Sequence, residues 1–467
     1  MRTIGIKVNH IVLSALLTLT WQLAAAHDCD WPFKTPVTIS NTTGGTLTNY
    51  QARVNISAAT LHGNYVWSAD GSDLRVLDQD DTTELTFYIE RWDAGSNTAI
   101  IWVTVPSMTA FADRVVYLVY GNERVASAAS ATLTFGNIGI KFHTKQSSVD
   151  PTNRTQAENA FAASTSPNGY GCKFITNFTG INNSGEFGPP NRSTNIAFSS
   201  ESWFLVGAGE EGLWSFRYGA DFGRGGGLYV DDAPLEEQWN DDLWWANNWD
   251  AADEVLEGSV NLLPGYHSLR ILGFEGGNDG GVTVQFRKPG GAYQALTTAA
   301  LDLRSRQCGT SEPTVAFAAG SVCPTDMNVD KVIQAIAGVV NTVPLPGVDP
   351  GNIVTYEVTI ESQGPGPSRN VLVEDNLGKF VAVSMDAYGS NQPFSCVSGC
   401  GLAQGQANLG APQYSSDDGA TWGYTLQSGG GGAPARFDAN VTRFLVPIEN
   451  MIYGGEDVVL RYQVRVQ

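Results

Sequence analysis

The chain reads as all-β, three consecutive β-sandwich domains behind a cleaved signal peptide. Three observations predict this. Short runs alternate apolar and polar residues with period two, as in Val37-Thr-Ile39, Ala52-Arg-Val54-Asn-Ile56 and Val282-Thr-Val-Gln-Phe286, the pattern of strands with one face buried. Turn formers such as Gly44-Gly45, Asp70-Gly71 and Asp93-Ala-Gly95 stand between them, so the strands are many and closely spaced, as in a sandwich. With 52 glycines, 16% charged and 42% hydrophobic residues, the composition is rich in turns yet apolar enough for cores. At roughly 100–200 residues per domain, the length suggests about three.

The chain opens with Arg2 and Lys7, an apolar run from Ile11 to Trp21, and Ala24-Ala25-Ala26. Basic residues, a short apolar core and small residues in that order mark a secretory signal peptide, here 1–26, with His27 as the mature start. The run is too short to span a bilayer, and no later stretch approaches the roughly 20 apolar residues of a membrane helix. A secreted or surface-exposed protein without a transmembrane anchor is expected. Loss of Arg2 and Lys7 leaves 25 basic residues against 47 acidic ones, a formal charge of −22. Such a chain repels nucleic acid and anionic lipid. All six cysteines, Cys29, Cys172, Cys308, Cys323, Cys396 and Cys400, lie in the mature part, and an even number in an exported chain favours disulfides over metal sites. Cys396–Cys400 and Cys172–Cys308 are the expected pairs, with Cys29 and Cys323 left over.

Residues 27–135 form the first expected domain, with further strand runs at Leu74-Arg-Val76, Leu85-Thr-Phe87-Tyr-Ile89 and Val115-Val-Tyr117-Leu-Val-Tyr120. Trp31-Pro-Phe33, Asn49-Tyr-Gln51, Ser72-Asp-Leu-Arg75, Tyr88-Ile-Glu90-Arg-Trp92, Ile101-Trp-Val103 and Tyr120-Gly-Asn122 give it a resemblance to a β-sandwich domain of unknown function. That domain occurs in bacterial surface proteins and in MshQ-type pilus-biogenesis proteins. The resemblance implies a concanavalin-like, lectin-like outline and no chemistry. Asp78-Gln-Asp80-Asp81-Thr-Thr-Glu84 lacks the central glycine and late glutamate of a calcium-binding EF-hand loop and reads as an acidic hairpin turn.

The second expected domain, 136–310, begins with one helical piece, Gln156 to Ala163, and loops including Asn182 to Pro190. Clean strands follow, among them Ser202-Trp-Phe-Leu-Val206, Gly212 to Tyr218 and Tyr266 to Leu272. Through Trp214-Ser-Phe216, Ala220-Asp-Phe-Gly223, Leu228-Tyr-Val-Asp231, Trp239 and Leu263-Pro-Gly-Tyr-His267, this order resembles the protective-antigen-type sandwich, a family of mostly non-catalytic carbohydrate-binding or adhesion modules. Members that bind sugar through calcium carry two adjacent aspartates where this chain has Asp221-Phe222, so the second is missing here. Asp231 fits the family's other acidic position, and Asp232 replaces its usual glycine. His267 reads as a packed structural histidine.

The third expected domain is 311–467. Pro350-Gly-Asn-Ile-Val-Thr-Tyr-Glu-Val, the Gly364-Pro-Gly-Pro turn and Val371-Leu-Val-Glu-Asp-Asn-Leu377 resemble the Ig-like repeat of bacterial surface proteins known as domain of unknown function eleven. That resemblance implies a stalk or spacer. Ser415-Ser-Asp-Asp-Gly-Ala-Thr-Trp422 fits an Asp-box, a self-bonded hairpin without catalytic role.

The candidate site is the segment 228–250, which packs four tryptophans and five aspartates. Sugar rings present apolar faces that stack on indole rings while carboxylates and amides orient hydroxyls. The ligand-binding candidates are therefore Asp231, Asp232, Trp239, Asp241, Asp242, Trp244, Trp245, Asn247, Asn248, Trp249 and Asp250. The competing reading makes these tryptophans a small core for a long loop. Asp221 and Asp231 are the metal candidates, for a structural calcium; no other cofactor is expected. Glu236, Glu237, Asp241 and Asp242 supply carboxylates for glycoside hydrolysis, but no nucleophile elbow, metalloprotease motif or phosphate loop is present, and no catalytic residue is assigned. The expected function is a non-catalytic adhesion protein binding a glycan or a cell-surface or pilus partner. The alternative is a pilus-associated or matrix subunit without sugar binding.

Overall fold

The computed structural model describes residues 29–467 apart from 168, 183–193, 252, 278–280, 309–312, 341–347, 401–407 and 450–451. The expected signal peptide, His27 and nearly all of the 182–190 loop lie outside the described residues. Antiparallel strands dominate, with helices at Ala131–Thr134 and Arg154–Ala163, so the all-β expectation is borne out. The second helix, α2 below, starts two residues before its expected position because Asn153 caps it, accepting the Gln156 N–H at 3.0 Å.

In the first sandwich, β1 (Phe33–Ser40) pairs with β6 (Asp113–Tyr120), which pairs with β3 (Leu74–Leu77). Facing them is the sheet of β2 (Leu47–Ser57), β5 (Thr98–Met108) and β4 (Phe87–Asp93). Period-two alternation sends Val37, Ile39, Val54, Ile101, Val103, Val116 and Leu118 into a shared core without exposure. The carboxylates of the Asp78–Glu84 turn are held partly by the turn itself and partly by neighbouring cations, Asp81 by Lys34 among them. Asp80 accepts three bonds from Thr82 and Thr83, which lower its pKa to about 2, and Asp78 is paired with Arg114.

One assignment is corrected here. Thr314–Phe317 and Ser321–Val322, counted above with the third domain, pair with the free edge of β1, and the Cys29–Cys323 disulfide fixes them there. The second sandwich is thus inserted into the first. A strand shows its own alternation in sequence but not the distant edge it joins. Cys172–Cys308 and Cys396–Cys400 are also bonded, so the two expected pairs are found and the left-over cysteines make the third.

The second sandwich follows the short helix. Its eight-stranded sheet holds β7 (Asn137–Ile138), β8 (Ile140–Gln146), β9 (Cys172–Ile175), β11 (Ile196–Val206), β13 (Gly225–Val230), β14 (Ala233–Trp239), β17 (Gly265–Glu275) and β20 (Leu303–Ser305). Against it packs the sheet of β10 (Ile181–Asn182), β12 (Gly212–Phe222), β15 (Leu243–Trp244), β16 (Val255–Leu262), β18 (Gly281–Arg287) and β19 (Gln294–Ala295). Trp214, Phe216, Tyr218, Phe222, Phe198 and Phe204 fill the space between. Gly273 is required there, because a Cβ on it would overlap the Phe222 ring.

Residues from Met327 onward make the third sandwich around Val358, Ile360, Phe444, Val446, Leu460 and Tyr462. Its Asp417 accepts from Ser415 and Thr421, closing the expected Asp-box hairpin. Ion pairs Arg124–Glu456 and Arg369–Glu123 join it to the first sandwich, with the Arg124 guanidinium 3.9 Å from the Tyr453 ring centre. First and second sandwiches share a small core of Trp102, Phe135 and Trp203, in which Phe135 and Trp203 stack at 3.9 Å.

Candidate ligand-binding site

The segment 228–250 divides into parts with separate surroundings. Register pairs Val230 with Ala233, leaving Asp231 and Asp232 as a two-residue hairpin turn with φ of 49° and 65°. Positive φ at both central positions is the I′ geometry that matches strand twist, and Asp tolerates it better than most residues. Asp231 accepts the Ser268 N–H at 2.9 Å and holds His267 Nδ1 at 2.7 Å. Burial of the His267 ring opposes its charged form, yet the bond and charge of Asp231 prevail and raise its pKa. Asp232 is held by Arg154 and Arg270 and lies 3.6 Å from Arg53. Asp232 thus ties the second sandwich to the first, Asp231 braces β17 within the second, and both stand apart from the tryptophans.

Trp239 ends β14 opposite Gly225 and packs edge-on to Phe274 beneath α2. Beyond it, Trp244 ends β15, which pairs with the end of β12, and Trp245 follows it with its N–H bonded to the Ala220 carbonyl at 3.0 Å. Alternation gives them opposite faces. Trp245 turns inward with 8% exposure, seated where Gly219 has no side chain. Its ring meets Trp249 at 4.6 Å, and Trp249 in turn lies under the Arg217 guanidinium at 4.3 Å. Trp244 turns outward with 68% exposure, the sequence's one solvent-facing tryptophan among the described exposed large side chains. The Glu254 carboxylate accepts its backbone N–H at 2.6 Å. Asp241, Asp242, Asn247, Asn248 and Asp250 are exposed around it, and bonds such as Asn248 N–H to the Trp245 carbonyl at 2.8 Å shape the loop. The mini-core reading therefore fits Trp245 and Trp249, whereas the Trp244 ring faces solvent.

The metal candidates do not come together. Asp221 pairs with Trp244 at one end of β13, and Asp231 follows the other end. A six-residue strand spans roughly 20 Å, whereas calcium ligands sit at about 2.3–2.6 Å. Among the described residues no group of three or more His, Cys, Asp or Glu side chains is arranged to hold a metal. The carboxylates considered for glycoside hydrolysis are likewise dispersed in structural bonds, Glu236 accepting from the Glu257 N–H and Glu237 from the Tyr229 hydroxyl.

A second feature was not read from the sequence. A cavity of about 600 Å³ lies between the first and second sandwiches. Along β8, Ile140 and Phe142 enter the core while Lys141, His143 and Lys145 alternate onto the cavity face. Register sets Lys141 beside Glu201, and Glu201 beside Arg270. Arg53, Glu90 and Trp102 face them from the first sandwich, and α2 adds Arg154 and Glu158. Glu158 accepts from Arg154 at 2.9 Å and Arg270 at 2.6 Å; burial opposes its ionisation, but these cations hold its pKa below the usual range. Burial raises that of Glu90. The alternation Lys-x-His-x-Lys was visible in Ile140–Gln146; the cations that join it come from distant strands.

A family model described as Domain of unknown function (DUF2341) matches residues 70–147, from just before β3 to the end of β8. No curated protein matches the chain. Among solved structures, the PA14 sugar-binding domain from an RTX adhesin is similar at 15% identity, over 36% of this chain and 99% of that one, with a TM-score of 0.28. The PA14 domain of the MpAFP antifreeze protein aligns at 13% identity over 36% and 92%, TM-score 0.28. The epithelial adhesin 9 A domain of Candida glabrata, in complex with Galb1-4GlcNAc, aligns at 10% identity over 36% and 90%, TM-score 0.26.

Proposed function

We propose that the protein is a non-catalytic adhesion protein of the cell exterior, and that it recognises glycan through the loop 239–250. One observation carries this reading: Trp244 is 68% exposed on a backbone fixed by β12 and by Glu254. A large aromatic ring left in water on an ordered element offers an apolar face on which a sugar ring can stack. Asp241, Asp242, Asn247 and Asn248 supply acceptors and donors for hydroxyls around such a face. Trp245 and Trp249 support the loop from beneath. Three disulfides suit an oxidising, extracellular setting.

The test is polysaccharide pull-down or a glycan array with the wild type and Trp244→Ala. Retained glycans lost on this single substitution support the reading. Undiminished binding, or none by the wild type, defeats it. Trp245→Ala is unsuitable, since its ring is part of the packing. No observation favours the pilus-subunit alternative, and calcium enters neither reading because the proposed aspartates lie apart.

A further inference from the structure

We propose that the outer face of the β12–β16–β18 sheet continues the Trp244 surface into an extended site, which holds the interior of a β-1,4-linked polysaccharide chain rather than a single terminal sugar. Resting on the Trp244 reading, the site adds to it a second aromatic platform, Tyr293, and the polymeric form of the ligand.

Strand register places the parts. Along β12, Trp214, Phe216, Tyr218, Ala220 and Phe222 enter the core, so Leu213, Ser215, Arg217 and Asp221 point to the other side. β16 and β18 flank β12 with matching parity, setting Glu257 and Gln285 beside Arg217, and Ser259 and Arg287 beside Ser215. Trp244 is directly opposite Asp221, and cross-strand partners share a face. The exposed indole therefore stands at one end of this face. The first sandwich meets the second across the other sheet, where the interdomain cavity is lined from β8, β11 and β17. Glu257, Ser259 and Asn261 are exposed, and Leu213 is 53% exposed at the far end.

Tyr293 supplies a second ring. It follows β18, is half-buried, and lies 3.8 Å from the Arg217 guanidinium and 4.8 Å from that of Arg287. Both arginines rise from the same side of neighbouring strands, so a ring resting on the two lies across the sheet with its far face toward solvent. The Tyr293 hydroxyl donates to Glu257 at 2.6 Å, and Arg217 Nε and Nη2 donate to Gln285 at 2.9 and 2.7 Å. These bonds hold the ring and its support from both flanking strands. Trp249, 4.3 Å from the same guanidinium and 4.6 Å from Trp245, joins this support to the Trp244 loop. Tyr293 thus repeats what makes Trp244 a platform, an apolar ring face on a fixed base.

Spacing gives the form of the ligand. Asp221, beside Trp244, and Arg217, beneath Tyr293, are four residues apart on one strand, roughly 14 Å. A monosaccharide touches one ring or the other, whereas a chain reaches both. Glu257, Ser259 and Asn261 offer acceptors and donors to hydroxyls along the way. A β-1,4 linkage keeps equatorially substituted rings extended, with their apolar C–H faces in line, which suits rings set along a strand. An α-1,4-linked chain coils and lifts away.

The bland alternative is that Tyr293 and Trp249 only pin two loops to the sheet. Calorimetric titration of the chain from His27 onward separates the readings, with cellobiose and cellohexaose, chitobiose and chitohexaose, and maltohexaose as probes. In at least one β-1,4-linked series the hexasaccharide should bind at least about tenfold tighter than its disaccharide, and maltohexaose at least about tenfold weaker than that hexasaccharide. Trp244→Ala should weaken both lengths. Tyr293→Ala should remove the gain with length and leave disaccharide affinity unchanged, while Tyr293→Phe, which keeps the ring, should retain the gain. Absence of hexasaccharide binding in both β-1,4-linked series, equal affinity for the two lengths, equal binding of maltohexaose, or a full length gain in Tyr293→Ala overturns the proposal. Glycan binding that is lost with Trp244→Ala yet independent of chain length would overturn the extended site alone and leave the Trp244 reading standing. The comparison of lengths and linkages on the unaltered chain decides the matter even if a variant fails to fold.

Discussion

Trp244 and Trp245 have the same chemistry and adjacent positions, and opposite energetic roles. Removing the exposed Trp244 ring should change stability by no more than about 0.5 kcal/mol, whereas Trp245→Ala leaves a void against Gly219 and should cost about 3–5 kcal/mol. Urea denaturation of both variants checks this; similar losses would show that the two rings share one environment. On β17, His267 gives a pH signature. Because Asp231 raises its folded pKa, this stabilisation is complete below the unfolded imidazole value near ~6.5 and is lost as pH rises through the higher folded value. The wild type should therefore lose about 1 kcal/mol relative to Asp231→Asn between mildly acidic and mildly alkaline pH. Parallel urea midpoints for the two proteins across that range would contradict it.

At the scale of elements, the loop 239–250 depends on a glycine in a neighbouring strand. Gly219→Ala places a methyl where the Trp245 ring lies, and such overpacking should cost about 1–3 kcal/mol. Faster amide exchange confined to 243–250 would report the displaced ring; unchanged exchange there would mean that the loop is held by other contacts. Much at this level was legible beforehand. Alternation in Gly212–Phe222 and Gly265–Glu275 announced strands because a one-sided core demands period two. The hairpin Asp231-Asp232 was read as ligand chemistry, since carboxylates in a turn look alike whether they cap a backbone, grip an arginine or await a cation. Parity decides which of two adjacent tryptophans is exposed, and parity depends on where β15 pairs. Arg53, Arg154, Arg270 and Arg306 lie on separate elements, so no local pattern could gather them around Lys141 and Lys145.

Over the whole molecule, the first sandwich is discontinuous: its β1 edge is completed by strands that follow the second sandwich. Residues 27–135 by themselves would leave that edge open, a template for self-association. They are expected to aggregate when expressed alone, and extension with 313–323 should yield a monomer on size exclusion. A monomer without the extension would show that the edge is protected in another way. Replacing Cys29 and Cys323 by serine should cost about 2–4 kcal/mol, since it releases a long closed loop, with a lower Tm of the first sandwich in calorimetry.

That same disulfide sets how the molecule would carry mechanical load. Cys29 and Cys323 are joined covalently across a separation of 294 residues, so tension applied between residue 29 and residue 467 passes straight from one sulfur to the other. The strands of the first two sandwiches lie off the line of force, and only the chain after Cys323 bears it. Pulled in an oxidising buffer, the protein should extend by unfolding its third sandwich alone. Reduction should add a lengthening of roughly 1,000 Å, from the sequestered residues at about 3.3–3.6 Å each. A tether built this way stretches and recoils while the surfaces around Trp244 and the interdomain cleft keep their shape.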